Sequence, residues 1–343
     1  MEINLNTLFV LTQGAYVHRD HSTVKVEVEK QTRLAVPIHT LESLALFGNV
    51  MASPGVMGLC AESGVAVSFL TNSGRLVARV DAPGSGNVLL RREQFRWADK
   101  PDCCLAIARN IAAGKLQNAR TLLLRSAREG NSETDATALR QAAHKIAATI
   151  ESLPSAGSLD ELRGHEGEAA RLYFDAFTSM IHADREAFAM IKRTRRPPQD
   201  RLNALLGFAY ALLVHDCCAA LAAAGLDASV GFLHADRPGK PSLALDLMEE
   251  FRPLIADRLV LALINRGQIG PGDFEFRDGG AVEMAESARR AFVAAYQRRK
   301  TETVRHPVTQ TETRIGLLPF VQAKLMARHI RGESPAYVPC VLK

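Results

Sequence analysis

Hydrophobic and polar positions follow two different rhythms along this chain. Up to about residue 80 the apolar residues alternate with polar ones or form short runs, which is typical of strands. Residues 23–30 are the clearest case, because Val24 and Val26 face one side while charged residues face the other. We expect a half-buried antiparallel strand there. The same patterns predict a partner strand at 33–38, a strand hairpin at 64–70 and 75–80, and a short helix at 41–47.

Beyond residue 90 the apolar positions recur with the period of a helix. A stretch rich in proline and glycine at 81–87 separates the two regions. The sequence therefore predicts an α+β protein, with a small β-rich N-terminal domain at 1–86 and a larger helical domain at 87–343. The predicted helices cover 89–99, 103–128, 133–152, 166–180, 201–224, 243–264, 281–299 and 319–330.

Composition narrows the class of protein. Among the 343 residues, 47% are hydrophobic and 23% are charged, which excludes a disordered chain. The longest uncharged apolar stretch, 202–214, is shorter than the roughly 20 residues that a membrane span needs. Four of the six cysteines lie in adjacent pairs, which favours free thiols in a reducing compartment. We expect a cytoplasmic protein that does not bind membranes.

A first candidate for chemistry is Glu166, in the segment 164–171. Glycines flank this acid, and small alanines follow it at the expected start of a helix. A carboxylate in the first turn of a helix is often no more than a favourable partner for the helix dipole. Glycine also lets a ligand or another backbone approach closely, so a functional acid remains the alternative.

A second candidate group combines His234 with acids on the following helix. Asp246, Glu249 and Glu250 are spaced so that they share one helix face. They form either a solvated acidic face or part of a metal site, and His234 taken alone is either a hydrogen-bonded structural residue or a ligand. One imidazole with several carboxylates suits magnesium or manganese, and such ions support phosphoryl transfer.

Two basic clusters suit contacts with a phosphate backbone, although each is equally well explained as a solvated helix face. The net charge of +5 permits binding to nucleic acid without requiring it. The candidate contacts are Lys192, Arg193, Arg195, Arg196 and Arg201 in the first cluster, and Arg289, Arg290, Arg298, Arg299 and Lys300 in the second.

Four segments in order resemble the CRISPR-associated protein 1 family, the metal-dependent DNA endonuclease and integrase of CRISPR adaptation. Each segment alone is a weak signal, but the order and spacing of all four are specific, and the resemblance spans nearly the whole chain. The segments are Gly164-x-Glu166-Gly167 through Phe174, Arg196-Pro197-Pro198 through Tyr210, Gly231-Phe232-Leu233-His234, and Ser242 through Glu249.

The resemblance implies roles for individual residues. It places Glu166, His234 and Glu249 as ligands of a magnesium or manganese ion, where some members of the family have aspartate at the position of Glu249. It adds Asp246 as a further acidic residue of the catalytic set. It assigns no role to Glu168 or Glu250.

The resemblance also implies a reaction and partners. The 3′-hydroxyl of a short double-stranded DNA, the prespacer, would attack a phosphodiester at the repeat of a CRISPR array. The protein would form a homodimer through its β-rich domain, and a dimer of CRISPR-associated protein 2 would bridge two such dimers. Two other functions remain open from the residues alone: a non-catalytic DNA-binding scaffold, and a metal hydrolase that acts on a small phosphate ester.

Overall fold

The protein is described from a computed structural model, and it divides into two compact units at residues 1–86 and 87–343. The first unit is β-rich and the second is mostly helical, which confirms the predicted α+β class. The residues at 81–87, where the sequence predicts a linker, lie outside the described part of the chain. The structure describes residues 6–72, 76–80, 88–130, 132–190, 192–194 and 197–342.

In its described residues, the first unit contains two four-stranded sheets and one α-helix. One sheet has the strand order β1-β5-β7-β8 and the other has the order β4-β3-β2-β6. The elements are β1 (Asn6–Val10), β2 (Tyr16–Asp20), β3 (Thr23–Val28), β4 (Gln31–Pro37), β5 (Leu41–Phe47), β6 (Met51–Ala52), α1 (Pro54–Glu62), β7 (Ala66–Leu70) and β8 (Leu76–Val80).

Two strand pairs of this unit were predicted correctly from the sequence. Strand β3 buries Val24 and Val26 and pairs antiparallel with β4, with Val24 opposite Val36. Strands β7 and β8 also pair antiparallel, as expected. The turn that joins them, at 73–75, lies outside the described residues.

The predicted helix at 41–47 is wrong, because these residues form β5. This strand lies between β1 and β7 and is parallel to both. A strand that is covered on both faces reads as a nearly continuous apolar run, which periodicity cannot distinguish from a buried helix. Helix α1 was not predicted, although its start carries two recognisable signals: Ser53 caps it by accepting a hydrogen bond from the Val56 N–H, and Pro54 occupies its first position.

The second unit is a helical body with two small hairpins. Its longest helix, α3, has 29 residues and packs against α4, α5 and α7. The helices are α2 (Val88–Ala98), α3 (Pro101–Glu129), α4 (Glu133–Ser152), α5 (Leu159–Asp175), α6 (Arg201–Ala224), α7 (Ser242–Glu249), α8 (Arg258–Asn265), α9 (Glu286–Thr301) and α10 (Leu318–Ile330), and the hairpins pair β9 (Phe274–Phe276) with β10 (Val282–Met284) and β11 (Thr303–Arg305) with β12 (Glu312–Arg314).

Helix α6 is the most apolar long helix in the described ranges. By length and composition it could cross a membrane, with a mean hydropathy of 1.8 over its most apolar stretch. However, 78% of that stretch is buried inside the protein, as in the core helix of a folded domain. Helices α7 and α10 both pack against it.

Two helix boundaries differ from the prediction in ways that matter for the candidate site. Helix α5 begins seven residues before Glu166, because Ser158 caps it by accepting from the Glu161 N–H. The predicted helix at 243–264 is interrupted by a π-helical segment, Arg252–Asp257. Pro253 explains the interruption, since proline donates no hydrogen bond and its ring collides with the carbonyl four residues earlier, which belongs to Glu249.

Smaller differences occur near the end of the chain. The stretch predicted as one helix at 281–299 begins with β10, and α9 starts only at Glu286. The two hairpins were not predicted, because their strands have three residues each and are too short for alternation to be visible.

Candidate active site

Glu166 lies in the middle of α5, where it faces a lysine on α3. The Lys115 ammonium contacts Glu166 Oε1 and also lies 2.6 Å from Glu249 Oε2. The interpretation of Glu166 as an acid in the first turn of a helix is therefore wrong. Lys115 instead bridges two carboxylates that are distant in sequence, and its side chain is only 12% exposed.

His234 is held by the helix that follows it. Asp246 accepts hydrogen bonds from three successive backbone N–H groups, those of Phe232, Leu233 and His234, at 2.6, 2.9 and 2.9 Å. Its Oδ1 also lies 2.7 Å from His234 Nδ1. A carboxylate at this nitrogen keeps the proton there, so the lone pair of the neutral ring is on Nε2. That nitrogen lies 4.0 Å from Glu249 Oε1.

Gly231 makes this close approach possible. A Cβ atom at this position would lie 2.8 Å from the Ser242 side chain and 2.9 Å from Asp246 Oδ2. Any other residue would push the 231–234 segment away from α7, and His234 would lose its position. Asp246 thus positions His234.

Glu249, the last residue of α7, is buried among positive groups. Arg252 Nη1 donates to both of its oxygens, at 2.9 and 3.0 Å. Burial alone would raise the pKa of the Glu249 carboxyl, but the charges of Arg252 and Lys115 outweigh burial and hold this pKa well below its usual range. Glu249 is therefore an anion at neutral pH.

Arg252 is fixed in turn by a buried aromatic and acidic network. Its guanidinium carbon lies 4.2 Å from the centre of the Tyr210 ring. The Tyr210 hydroxyl donates to one oxygen of Asp257 at 2.6 Å, and the Tyr173 hydroxyl donates to the other at 2.8 Å. A cavity of about 20 Å³ lies among these side chains beside Lys115.

Glu250 has a structural role that the sequence did not reveal. It is fully buried, and it accepts hydrogen bonds from the Tyr337 hydroxyl, the Cys340 N–H and Gln322 Nε2. Burial raises the pKa of the Glu250 carboxyl to about 7. Of the two alternatives for these acids, the solvated acidic face is therefore wrong, since Asp246, Glu249 and Glu250 are all buried and each has different partners.

The structure thus brings Glu166, His234 and Glu249 to one place, with Asp246 behind the histidine. In the described part of the chain, no three His, Cys, Asp or Glu side chains already form a metal-binding geometry. The donor set is nevertheless suitable, because two carboxylates already share a cation, the Lys115 ammonium, and His234 Nε2 lies 4.0 Å from the second oxygen of Glu249. These residues fit a magnesium or manganese ion in place of that ammonium.

Sequence reasoning missed Lys115 and Arg252. Lys115 did carry a signal, since it is a charged residue within a run of α3 that otherwise buries Ile111, Ala112, Leu116 and Ala119. A lysine among core positions needs a partner. Arg252 lies three residues after Glu249, a spacing that allows an ion pair within one helical turn.

The described residues of the first basic cluster have different surroundings. Lys192 is exposed. The Arg193 guanidinium lies over the Tyr210 ring and donates to the Asn203 side chain, so it is part of the fold. Arg201 donates to the Pro271 and Ala187 carbonyls at 3.1 and 3.2 Å. Arg195 and Arg196 lie outside the described residues.

In the second basic cluster, the prediction that Lys300 contacts DNA is wrong. The Lys300 side chain is 4% exposed and its ammonium lies 2.8 Å from Asp216 Oδ1, so Lys300 is a core ion pair and cannot reach a phosphate. Arg289 donates to the Met284 carbonyl, Arg290 pairs with Glu286, and Arg299 pairs with Glu302. Arg298 is exposed.

The chain is thus a two-domain α+β protein whose helical unit carries a site of carboxylates and a histidine. The family model described as "CRISPR associated protein Cas1" matches residues 8–298, and the chain belongs to this family. The resemblance inferred from the four sequence segments is confirmed.

Individual similarities extend over the whole chain. The chain is 47% identical over 341 residues to "CRISPR-associated endonuclease Cas1 1" of Chlorobaculum tepidum, covering 99% of each protein. Its fold matches a chain of a "Cas6-RT-Cas1--Cas2 complex" with a TM-score of 0.85 and 23% identity, covering 100% of this chain and 37% of the other. It also matches a "Casposase bound to integration product" with a TM-score of 0.82 and 21% identity, covering 97% and 92%.

Proposed function

We propose that this protein is a DNA endonuclease and integrase of CRISPR adaptation that depends on magnesium or manganese. The observation that carries the proposal is that Lys115 joins Glu166 to Glu249, while His234 Nε2 lies 4.0 Å from Glu249. Membership of the Cas1 family and similarity to the Chlorobaculum tepidum endonuclease support it. The fold shared with a casposase bound to an integration product supports strand joining in addition to cutting.

The proposed reaction is a transesterification. The 3′-hydroxyl of a prespacer strand attacks a phosphodiester at the repeat of a CRISPR array, and the 3′-oxygen of the cut strand leaves. When bound by Glu166, Glu249 and His234, the divalent ion would supply charge stabilisation at the phosphate. Hydrolysis is the same attack by water.

The residues of this chain prepare the site for that chemistry. Arg252 keeps Glu249 ionised in a buried place, which preserves an anionic ligand. Asp246 keeps the proton on His234 Nδ1 and so leaves Nε2 able to bind. Lys115 neutralises the two glutamates until another cation takes its position.

The proposed partners are double-stranded DNA, a second copy of this chain and CRISPR-associated protein 2. The fold shared with a chain of the Cas6-RT-Cas1--Cas2 complex supports the last of these. We propose that the β-rich unit forms the homodimer, that a dimer of CRISPR-associated protein 2 bridges two such homodimers, and that the assembly acts in the cytoplasm.

Glu166→Gln tests the proposed function against a matched control. Loss of one anionic ligand should lower strand transfer by about 100-fold or more, since charge stabilisation by the ion contributes several kcal/mol. Glu168→Gln makes the same change two residues away on the exposed side of α5 and should leave the rate unchanged. Strand transfer is measured with a prespacer duplex and a repeat-containing plasmid, with manganese or with EDTA.

Binding of the duplex in EDTA is measured in parallel by fluorescence anisotropy. The proposal requires that Glu166→Gln binds DNA as tightly as the unmodified protein. Full strand transfer by this variant, or a loss that follows a loss of DNA binding, would refute the proposal and leave a DNA-binding scaffold as the better description.

A further inference from the structure

A second cavity lies on α3, away from the catalytic carboxylates. It has a volume of about 330 Å³, which is within the range of ligand pockets. Arg125 lies ten residues beyond Lys115 on the same helix, so the two positions are about 15 Å apart along its axis. The lining residues include Arg125, Arg128, Pro253, Leu254, Arg258 and Leu342.

Positive charge dominates this cavity. Arg125, Arg128 and Arg258 line it, while Arg299 lies close enough to Arg258 to affect its ionisation. We call these four residues the arginine pocket. They come from α3, α8 and α9, so no run of basic residues in the sequence marks the site.

The acids nearby leave part of this charge without a counterion. Glu129 pairs with Arg125 at 2.6 Å and Glu302 pairs with Arg299. Within the described residues, neither Arg128 nor Arg258 has an ion pair or a side-chain hydrogen bond. Burial first, and then the charges of Arg299 and Arg125, lower the pKa of the Arg258 guanidinium to about 10, although the charges of Glu129 and Glu302 oppose this shift. A bound anion would relieve this crowding of like charges.

Guanidinium groups in such a cluster select for phosphate. Their planar donors match phosphate oxygens in pairs, and several can bind one group from different sides. The cavity beside Lys115 and the cavity of the arginine pocket share Pro253 in their linings, so these two cavities are neighbours.

We propose that the arginine pocket binds a backbone phosphate of the DNA strand held at the catalytic site. This inference rests on the proposed function for the identity of the ligand. The pocket's cavity, charge and missing counterions are independent of the metal site. The phosphate group could come from a DNA strand or from free phosphate, and the experiment must distinguish these two sources.

Arg258→Gln tests the proposal, because it removes one charge and keeps a polar side chain. Binding of a short DNA duplex to the full-length protein is measured by fluorescence anisotropy in EDTA over a series of salt concentrations. We expect Arg258→Gln to weaken binding about tenfold at low salt. The slope of log affinity against log salt should become shallower by about one. The control Arg140→Gln removes an exposed arginine paired with Glu133 on α4 and should change neither quantity.

Thermal unfolding separates this role from a structural one. Arg258→Gln should unfold at the same temperature or slightly higher, because the change relieves repulsion from Arg299 and Arg125 and breaks no ion pair or side-chain hydrogen bond among the described residues. A clear fall in stability would show that this chain itself occupies the arginine pocket, and it would overturn the proposal.

Calorimetric titration with inorganic phosphate distinguishes the two sources. Weak binding of phosphate that disappears in Arg258→Gln, together with the shallower salt slope for DNA, supports the proposal. Loss of phosphate binding with an unchanged DNA slope would identify a free phosphate as the ligand and overturn it, as would no change in either. Because the DNA measurements contain no divalent ion, failure of the metal-dependent activity would not affect their interpretation.

Discussion

At the scale of single residues, the most informative one is Lys115. A buried ammonium between two glutamates is an internal counterion, and it neutralises a pair of carboxylates that would otherwise repel each other. A divalent ion that binds the same oxygens must displace it. Lys115 therefore sets how tightly the proposed metal binds.

Replacing Lys115 by methionine should strengthen metal binding. Manganese then has no ammonium to displace, and a charge-assisted hydrogen bond contributes about 1.5–3 kcal/mol, so the affinity should rise about tenfold. Calorimetry with manganese and no DNA measures this directly. Without metal, the variant should unfold at a lower temperature than the unmodified protein, because Glu166 and Glu249 lose a shared partner.

Lys145→Met is the matched control, since Lys145 is exposed on α4 and its replacement should alter neither the manganese affinity nor the stability. If Lys115→Met binds manganese no more tightly than the unmodified protein, then the ammonium and the ion do not compete for one position. In that case Lys115 would remain beside the bound ion.

At the scale of elements, helix α7 holds the 231–234 segment in place. The Asp246 carboxylate accepts hydrogen bonds from three backbone N–H groups and contacts one imidazole nitrogen. The position of His234 therefore depends on a residue of α7 that lies twelve positions further along the chain. This dependence makes Asp246 a positioning residue and predicts what happens when its charge is removed.

Asp246→Asn should destabilise the protein by about 3 kcal/mol and disorder His234. The asparagine amide keeps one acceptor oxygen and turns an NH₂ group toward backbone donors, which leaves buried N–H groups unsatisfied. Thermal unfolding measures the stability, and the ¹⁵N chemical shifts of the His234 ring report its tautomer. The Nδ1–H form should dominate in the unmodified protein and give way to a mixture in the variant.

Asp236→Asn is the control for this prediction. Asp236 accepts a single hydrogen bond, from the Gly231 N–H at 3.1 Å, and it lies in the same loop. Its replacement should leave the His234 tautomer unchanged. An unaltered tautomer in Asp246→Asn, with only lowered stability, would reduce Asp246 to a purely structural residue.

The elements also show how far sequence patterns reach. Alternation located β3, which buries Val24 and Val26 on one face. A glycine turn between two apolar runs located β7 and β8, and helical periods located most of the helical unit. The pattern failed at β5, a central strand whose consecutive residues Leu44 to Phe47 are all buried, so that no alternation is visible. It also missed the break after α7, where Pro253 widens the helix into a π-helical segment.

For the site, the four sequence segments named the residues that the fold brings together. They did not reveal Lys115, Arg252 or the arginine pocket, because each depends on side chains from separate helices. Basic runs in the sequence were a poor guide for the same reason: Lys300 is in the core with Asp216, while Arg125 and Arg258 meet only after folding.

At the scale of the whole molecule, buried titratable groups decide how stability depends on pH. His215 on α6 is 2% exposed, and within the described residues neither of its ring nitrogens has a hydrogen-bond partner. Burial first lowers the pKa of this imidazole to about 4, although the neighbouring Asp216 opposes the shift and Lys300 adds to it. His215 is therefore neutral in the folded protein near neutral pH.

This pKa predicts acid sensitivity with a definite sign. The unfolded chain binds a proton at His215 below about pH 6.5, whereas the folded protein does not until about pH 4, so stability is complete above pH 6.5 and declines as the pH falls toward 4. From about pH 7.5 to about pH 5 the loss from this residue should be about 2 kcal/mol.

His215→Leu should remove this part of the acid sensitivity. Carboxylates also titrate in this range, so the informative quantity is the difference in unfolding temperature between the variant and the unmodified protein. Between about pH 7.5 and about pH 5, the unfolding temperature of the variant should rise by about 4–8 °C relative to that of the unmodified protein. This shift corresponds to about 2 kcal/mol of unfolding free energy in a unit of this size. His144→Leu, at an exposed histidine on α4, should give a constant difference. A constant difference for His215→Leu as well would mean that the folded protein accommodates a charged imidazole in its core, with Asp216 as the obvious partner.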